Sequence, residues 1–270
     1  MYIFDSFNHP SFKKNKLKII YNSLKYITFS FFKKKFIYEI KLKNFSFFFN
    51  FVPLGKQSGS GGLFVYRENY EPLLNNCSKF LKKNDIALDI GANQGIYSLA
   101  FSKSVEQNGS VISVEPFKAM IKCLENNIAI NNLKNIKIYQ KVISDKNGLE
   151  TLYFDQGTVS ASITKDFQSK NKLDVESITI DEICSQYPKI DFIKIDIEGA
   201  ELKALKGAKV TLKYFKPILS LEVDENSYSE INEYLKFYNY SSYFLSQEGD
   251  LELVSMIKEK HSNLIFISNR

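Results

Sequence analysis

The 270-residue chain has no tryptophan, two histidines and three cysteines, and these scarcities exclude whole classes of chemistry. His9 and His261 lie near opposite ends of the sequence, so its middle lacks the raw material for a Ser-His-Asp triad or a histidine-rich zinc centre. Cys77, Cys123 and Cys184 are far apart, odd in number and without C-x-x-C spacing. That usage points to free thiols in a reducing, cytoplasmic compartment. Long apolar runs are missing too: stretches such as 27–32 and 45–54 are too short to span a bilayer. Lysines interrupt every candidate signal-peptide core.

Positive charge is present but unevenly placed. The net charge is +6, yet residues 1–43 carry ten lysines against only Asp5 and Glu39, which leaves the rest of the chain at about −2. A domain that grips nucleic acid would carry its excess on its main surface, so the balance argues for a basic N-terminal arm and against a nucleic-acid partner. Within the arm, Lys13, Lys14, Lys16 and Lys18 are followed by Phe31, Phe32, Lys33, Lys34, Lys35 and Phe36. Such a basic, aromatic segment suits peripheral contact with an anionic inner-membrane surface. Two other readings stay open: that it packs on the core, or that it helps bind the substrate.

The arm is read as short helical and strand pieces. It ends in Gly55–Gly62, a stretch that holds four of the twelve glycines and is expected to form a loop. A phosphate loop is excluded, because Asn50 stands where its first glycine belongs and Gln57 where its hydroxyl residue belongs. The expected division is therefore an extension and linker over 1–64 and a main domain over 65–270.

From about residue 65, apolar runs alternate with helical patterns, the form of a parallel sheet covered on both faces. Strands are predicted at 86–90, 110–114, 136–144, 191–195, 218–223, 242–245 and 264–267. Helices are predicted at 95–105, 118–131, 180–186, 201–208 and 229–237. The last two strands lack a crossover helix, so one of them runs antiparallel. The fold class is thus α/β, with a Rossmann-like sheet of seven strands, mostly parallel.

In such a sheet, ligands bind beyond the carboxyl ends of the strands. The first strand-to-helix turn is Asp89-Ile90-Gly91-Ala92-Asn93-Gln94-Gly95, leading to Ser98. Gly91 and Gly95 permit a sharp turn and close approach of a ligand. The helix beyond offers backbone N–H groups to an anion. The second strand ends in Glu115-Pro116, and Glu115 stands where a carboxylate can accept hydrogen bonds from ribose hydroxyls. Together these point to an adenosine-containing ligand. The spacing departs from G-x-G-x-x-G, and a nicotinamide dinucleotide, or simple nucleotide binding without catalysis, stays as the alternative.

These residues resemble the FkbM family of methyltransferases over about 70–223. The likeness runs from Asp89–Ser98 through Val114-Glu115-Pro116 and Asn127, then Val142–Asp145, Thr179-Ile180-Asp181, Ile193–Glu201, Leu205–Ala208 and 217–223. It implies a class I fold, S-adenosylmethionine as cofactor, and methylation of a hydroxyl on a sugar, glycan or secondary metabolite, as in surface-polysaccharide biosynthesis. The expected cofactor contacts are Asp89, Gly91, Ala92, Asn93, Gly95, Ser98, Glu115, Pro116, Ser144 and Asp145, the last two at the adenine edge.

Without a central histidine, a base for a hydroxyl acceptor must be a carboxylate, lysine or tyrosine. Asp196, at the end of the fourth strand, is the first choice and Glu198 the second. A second use of Asp196 and Glu198, with Glu222, would be to hold a divalent cation, although the favoured reading is metal-free. Glu201 is expected to cap the helix beginning near Gly199. Tyr97 could face a sulfonium through its ring, or simply pack.

Overall fold

Period-two alternation with one face apolar throughout and the other polar near the strand ends is written into Ile86–Ile90, Ser110–Val114, Phe192–Ile195 and Ile218–Val223. That pattern decides which way each strand faces. In a computed structural model, which describes residues 12–32, 35–51, 59–154, 161–163, 171–257 and 262–269, these four strands lie side by side. The chain opens with α1 (Phe12–Phe31), β1 (Phe36–Lys41), β2 (Ser46–Phe51), α2 (Gly59–Tyr66) and α3 (Pro72–Phe80). There follow β3 (Ile86–Ile90), α4 (Ile96–Val105), β4 (Ser110–Val114), α5 (Lys118–Ile130), β5 (Ile136–Tyr139) and β6 (Val142–Ile143). Next are β7 (Gly148–Phe154), β8 (Ala161–Ser162), β9 (Asn171–Ile178), α6 (Ile180–Cys184), β10 (Phe192–Ile195) and α7 (Glu201–Lys206). The chain closes with β11 (Ile218–Val223), α8 (Glu225–Lys236), β12 (Tyr240–Leu245), β13 (Leu251–Leu253) and β14 (Ser262–Ser268).

The main sheet has the order β13-β12-β14-β11-β10-β3-β4-β5. From β11 to β5 all neighbours are parallel, and β14 runs antiparallel to both β11 and β12. The α/β class, the mostly parallel sheet and the reversed last strand agree with the sequence. Two details differ. The sheet has eight strands, because β13 adds an antiparallel edge to β12. The run predicted as one strand over 136–144 is split: β5 belongs to the main sheet, whereas β6 joins a separate four-stranded sheet of order β6-β9-β7-β8. Gln140 and Lys141 separate the two pieces, so an uninterrupted apolar reading merges elements that pair with different partners.

A second correction concerns the glycine-rich stretch, since residues 59–62 open α2 and are not a loop. The rings of Tyr26 and Tyr70 lie where side chains on Gly61 and Gly62 would sit. Packing density there, not flexibility, accounts for the glycines. Residues 52–58 lie outside the described residues. Helix α8 begins four residues before the predicted start, because Asp224 and Ser227 form a reciprocal capping box.

Two hydrophobic clusters flank the sheet. Ala87, Val111 and Phe192 join residues of α3 and α4, together with Tyr26, Phe49, Phe51 and Phe64 of the N-terminal elements. Leu88, Ile112, Ile193 and Leu221 face the opposite side, with α6, α7 and α8. A fully buried phenylalanine such as Phe101 or Phe192 contributes about 1.5–3 kcal/mol. The N-terminal hairpin is also tied by polar bonds: Phe48 donates to Asn131 Oδ1 and accepts from its Nδ2, so a side-chain amide on α5 completes the edge of β2. No helix among the described residues is long and apolar enough to cross a membrane. The three cysteines are free thiols.

Candidate active site

The strand pattern brings four polar rows to one end of the sheet. Lys194 on β10 lies directly opposite Asp89 on β3, with Ser220 and Ser113 beside them on β11 and β4. Two residues on, beyond the same pleat, come Asp196, Gly91, Glu222 and Glu115. These side chains stand at the carboxyl ends of parallel strands, where such sheets bind ligands. A cavity of about 310 Å³ opens there, lined among others by Glu71, Asp89, the 91–94 turn, Glu115, Lys194, Asp196 and Glu222.

One half of the cavity is built from backbone. The N–H groups of Gly91 and Ala92 both donate to Val114 O, which pins the turn after β3 to the end of β4. Gly91 has φ +80, and a Cβ there would collide with the Asp196 carbonyl oxygen. Gly95 has φ +90, and a Cβ there would strike Leu124. Both glycines therefore make room for the protein's own neighbours, and Gly91 also lines the cavity. Glu115 is buried and accepts from Asn93 N at 2.9 Å and Phe117 N at 2.9 Å. Burial pushes its pKa up to about 7 in spite of those bonds. Asn93 Oδ1 and both polar side-chain atoms of Gln94 are buried with no hydrogen-bond partner, in the wall of the cavity. Buried polar groups of this kind call for a partner, and a polar ligand supplies one.

The other half is ionic. Lys194 is 2% exposed and donates to Asp196 Oδ2 at 2.8 Å, while its Nζ sits 4.7 Å from the ring centroid of Tyr97. Tyr97 thus packs on a lysine inside the protein, and its hydroxyl donates to Glu71. Glu71, which also accepts from Asn263 Nδ2, has its pKa raised by burial, with Lys194 opposing. Asp89 is raised by the same cause, and accepts from Ser98 Oγ at 2.5 Å. Burial works against the charge of Lys194, but Asp196, Glu71 and Asp89 outweigh it, so the ammonium is held firmly protonated.

Asp196 and Glu222 share a hydrogen bond and behave oppositely. Burial tends to raise Asp196, yet Lys194 more than compensates, leaving it below the usual carboxylate range. Glu222 is pushed up to about 9, by burial first and by Asp196 second. One carboxyl is therefore ionised and its neighbour protonated at neutral pH, with Glu222 donating to Asp196. The Asp196 side chain keeps 36% of its surface exposed, so it can reach a molecule in the cavity. An ionised carboxylate in this position can accept a hydrogen bond from a hydroxyl in the cavity.

The remaining sequence-derived residues divide. Ala92, Asn93, Pro116 and Glu198 line the cavity. Glu198 is exposed at its rim, with φ +54. Gly95 and Ser98 stand behind the lining, Ser98 as the donor to Asp89. Ser144 and Asp145 are not part of the lining; Ser144 Oγ is turned to Glu150 at 2.7 Å, and Lys141, Val142 and Ile143 form the wall instead. Because β6 leaves the main sheet for a separate one, Val142 and Ile143 themselves stand at the wall. Glu201 stands in the first turn of α7, but its carboxylate accepts from Ile197 N and Gly199 N of the preceding loop and makes no cap bond to the helix, and burial raises it to about 7. No group of three His, Cys, Asp or Glu side chains among the described residues is arranged to hold a metal. The alternative use of Asp196, Glu198 and Glu222 on a cation meets an arrangement in which Lys194 already pairs with Asp196 and Glu222 is pushed toward its protonated form.

Sequence reasoning misses Lys194 and Glu71. The alternation Lys194-Ile195-Asp196 carries a signal for the first, because a lysine inside an otherwise apolar central strand must be paired. Glu71 has no such signal, as it reaches the cavity from the turn before α3. Asn127 stands out in the sequence only as part of a motif. It is fully buried, donates to Gln94 O at 2.8 Å and accepts from Asn50 N at 2.8 Å, so it ties the glycine turn to β2.

Comparison with known proteins places this geometry among relatives. Residues 89–242 match the methyltransferase FkbM domain, a span that runs from the end of β3 into β12 and includes every strand end that lines the cavity. The chain is 25% identical over 177 residues to the methyltransferase sdnD of Sordaria araneosa, covering 53% of this chain and 68% of that protein. It is 28% identical over 169 residues to the 2-O-methyltransferase NoeI of Sinorhizobium fredii, covering 54% of this chain and 67% of that protein. Among solved structures, a methyltransferase FkbM from Methylobacillus flagellatus KT aligns with a TM-score of 0.49 at 17% identity, covering 77% of this chain and 53% of that one. The present chain thus spans about half the length of that structure.

Proposed function

The chain belongs to the FkbM methyltransferase family, and we propose that it transfers a methyl group from S-adenosylmethionine to a hydroxyl oxygen of a sugar or glycan. The observation that carries this reading is the ionised, partly exposed Asp196 facing the same cavity as the 91–94 turn and Glu115. The residues present suit the cofactor. Glu115 offers carboxylate oxygens to ribose hydroxyls, and the unpartnered Asn93 and Gln94 side chains offer polar contacts. Phe117, Val142, Ile143 and Leu152 form an apolar wall suited to adenine, in place of Ser144 and Asp145. When bound, S-adenosylmethionine supplies an electrophilic methyl group on a positively charged sulfur.

The protein's own task is orientation and proton removal. Holding an acceptor oxygen in line with that group supplies most of the acceleration in a displacement of this kind. Asp196 accepts the hydroxyl proton, Lys194 keeps Asp196 ionised until then, and Glu222 fixes its orientation by donating to it. Among the relatives, the name of the NoeI protein specifies 2-O-methylation, which supports oxygen as the acceptor atom here. Titration calorimetry tests the cofactor: S-adenosylmethionine and S-adenosylhomocysteine should bind, and preferential binding of a nicotinamide dinucleotide would overturn the reading.

A further inference from the structure

Helix α1 has two apolar faces, and only one of them is used. At 3.6 residues per turn, Ile19, Asn22, Ser23 and Tyr26 fall on one side and are buried. Leu17, Tyr21, Leu24 and Phe31 fall on the opposite side at spacings of four, three and seven, and are 83%, 63%, 56% and 80% exposed. An exposed stripe four turns long, broken only by Thr28 between Leu24 and Phe31, is an unusual amount of apolar surface to leave in water.

The borders of the stripe say what covers it. Lys16 and Lys18 lie roughly a quarter turn to either side at its start, and Lys25 lies beside it at its middle. The helix contains no Asp or Glu. Lys18 pairs with Glu68 of the turn after α2, and Lys25 lies over the rings of Tyr21 and Phe29. In sequence the helix runs on into Lys33, Lys34 and Lys35. Two copies meeting along this face would bring lysine borders together with no acidic partner on either helix, which disfavours self-association. A surface of anionic headgroups above an apolar layer matches both features at once.

We propose that the outward face of α1 docks this protein on anionic membrane surfaces, with Leu17, Tyr21, Leu24 and Phe31 in the interface and the bordering lysines on lipid headgroups. The proposal does not depend on the acceptor or on the methyl-transfer reading. It is tested by sedimentation of the full chain with vesicles of phosphatidylcholine alone or with added phosphatidylglycerol. Binding should require phosphatidylglycerol and weaken as salt rises. K16Q/K25Q should lower the partition coefficient about tenfold. L17Q/L24Q/F31Q should reduce binding to background with the thermal midpoint kept within a few degrees; the lysine variant and the salt series remain decisive if that triple variant unfolds. The proposal is overturned if the wild-type chain stays in the supernatant with anionic vesicles, or if K16Q/K25Q and salt leave binding unchanged. It is equally overturned if light scattering shows a dimer that the triple variant converts to monomer.

Discussion

The two halves of the cavity solve different problems with different materials. On the side of β3 and β4, backbone N–H groups hold Glu115 and the 91–94 turn, and the polar side chains left over have no partner of their own. On the side of β10 and β11, a single lysine organises Glu71, Asp89 and Asp196, while Glu222 keeps a proton. The first half is held by backbone hydrogen bonds and presents unpartnered polar atoms to the cavity. The second is already satisfied electrically, and under the proposed function it is the half that takes the proton. The division teaches that binding and chemistry can be separated by mutation, even though Gly91 presses one half against the other at Asp196.

The sharpest way to break the comparison is Asp196→Asn. It keeps the shape but removes the proton acceptor, so methyl transfer should fall by about 10²–10⁴-fold. Cofactor affinity should change only a few-fold by calorimetry; an equal loss of both would show that the halves are not separable. Next in size is the effect of pH through Glu222. Its pKa is raised, so it donates to Asp196 below about pH 9 and becomes a second negative charge above it. The rate should fall as pH rises through that value, roughly tenfold per unit at most for loss of one required proton. Glu222→Gln, which still donates a hydrogen bond, should remove that alkaline limb from the profile.

The smallest effect belongs to the binding half. Glu115 titrates at about 7 in the free protein, and ribose hydroxyls need its ionised form as acceptor. Ligand hydrogen bonds to the carboxylate lower that pKa, so affinity should rise as pH increases through about 7 and level off above it. Glu115→Gln should flatten this dependence and weaken binding by about fivefold, the difference between a charged and a neutral acceptor. Unchanged pH dependence in Glu115→Gln would remove Glu115 from the cofactor site.

Much of this architecture is legible in the sequence alone. Strong period-two runs such as Val111–Val114 and Phe192–Ile195 match their predicted strands within a residue or so, because one face of a central strand must be apolar throughout. Helix α5 agrees to within a residue for the same kind of reason, its apolar positions falling on one side. Disagreements arise where local signals do not report partners. Nothing in 136–144 says that its two ends pair in different sheets, and the glycines of 59–62 look like a loop until the rings of Tyr26 and Tyr70 occupy the space beside them. At the site, Asp196 and Glu115 stand out as carboxylates ending apolar strands. Order along the chain puts Ser144 at the ligand, and the fold turns it to Glu150.

By itself, the sequence determined the alternation that aims Asp89, Glu115, Lys194, Asp196 and Glu222 toward one end and one face of the sheet. It also determined the lack of a central histidine, which leaves carboxylates, lysines and tyrosines as the titratable groups at the strand ends. Those are consequences of residue identity and spacing, which local geometry translates directly into direction. Only the tertiary structure decided which carboxyl is ionised and which is protonated. That depends on Lys194, buried two residues from Asp196, and on the burial of Glu222 beside the Asp196 charge on the neighbouring strand. Charge state is set by distance and burial, and neither exists until the chain has folded.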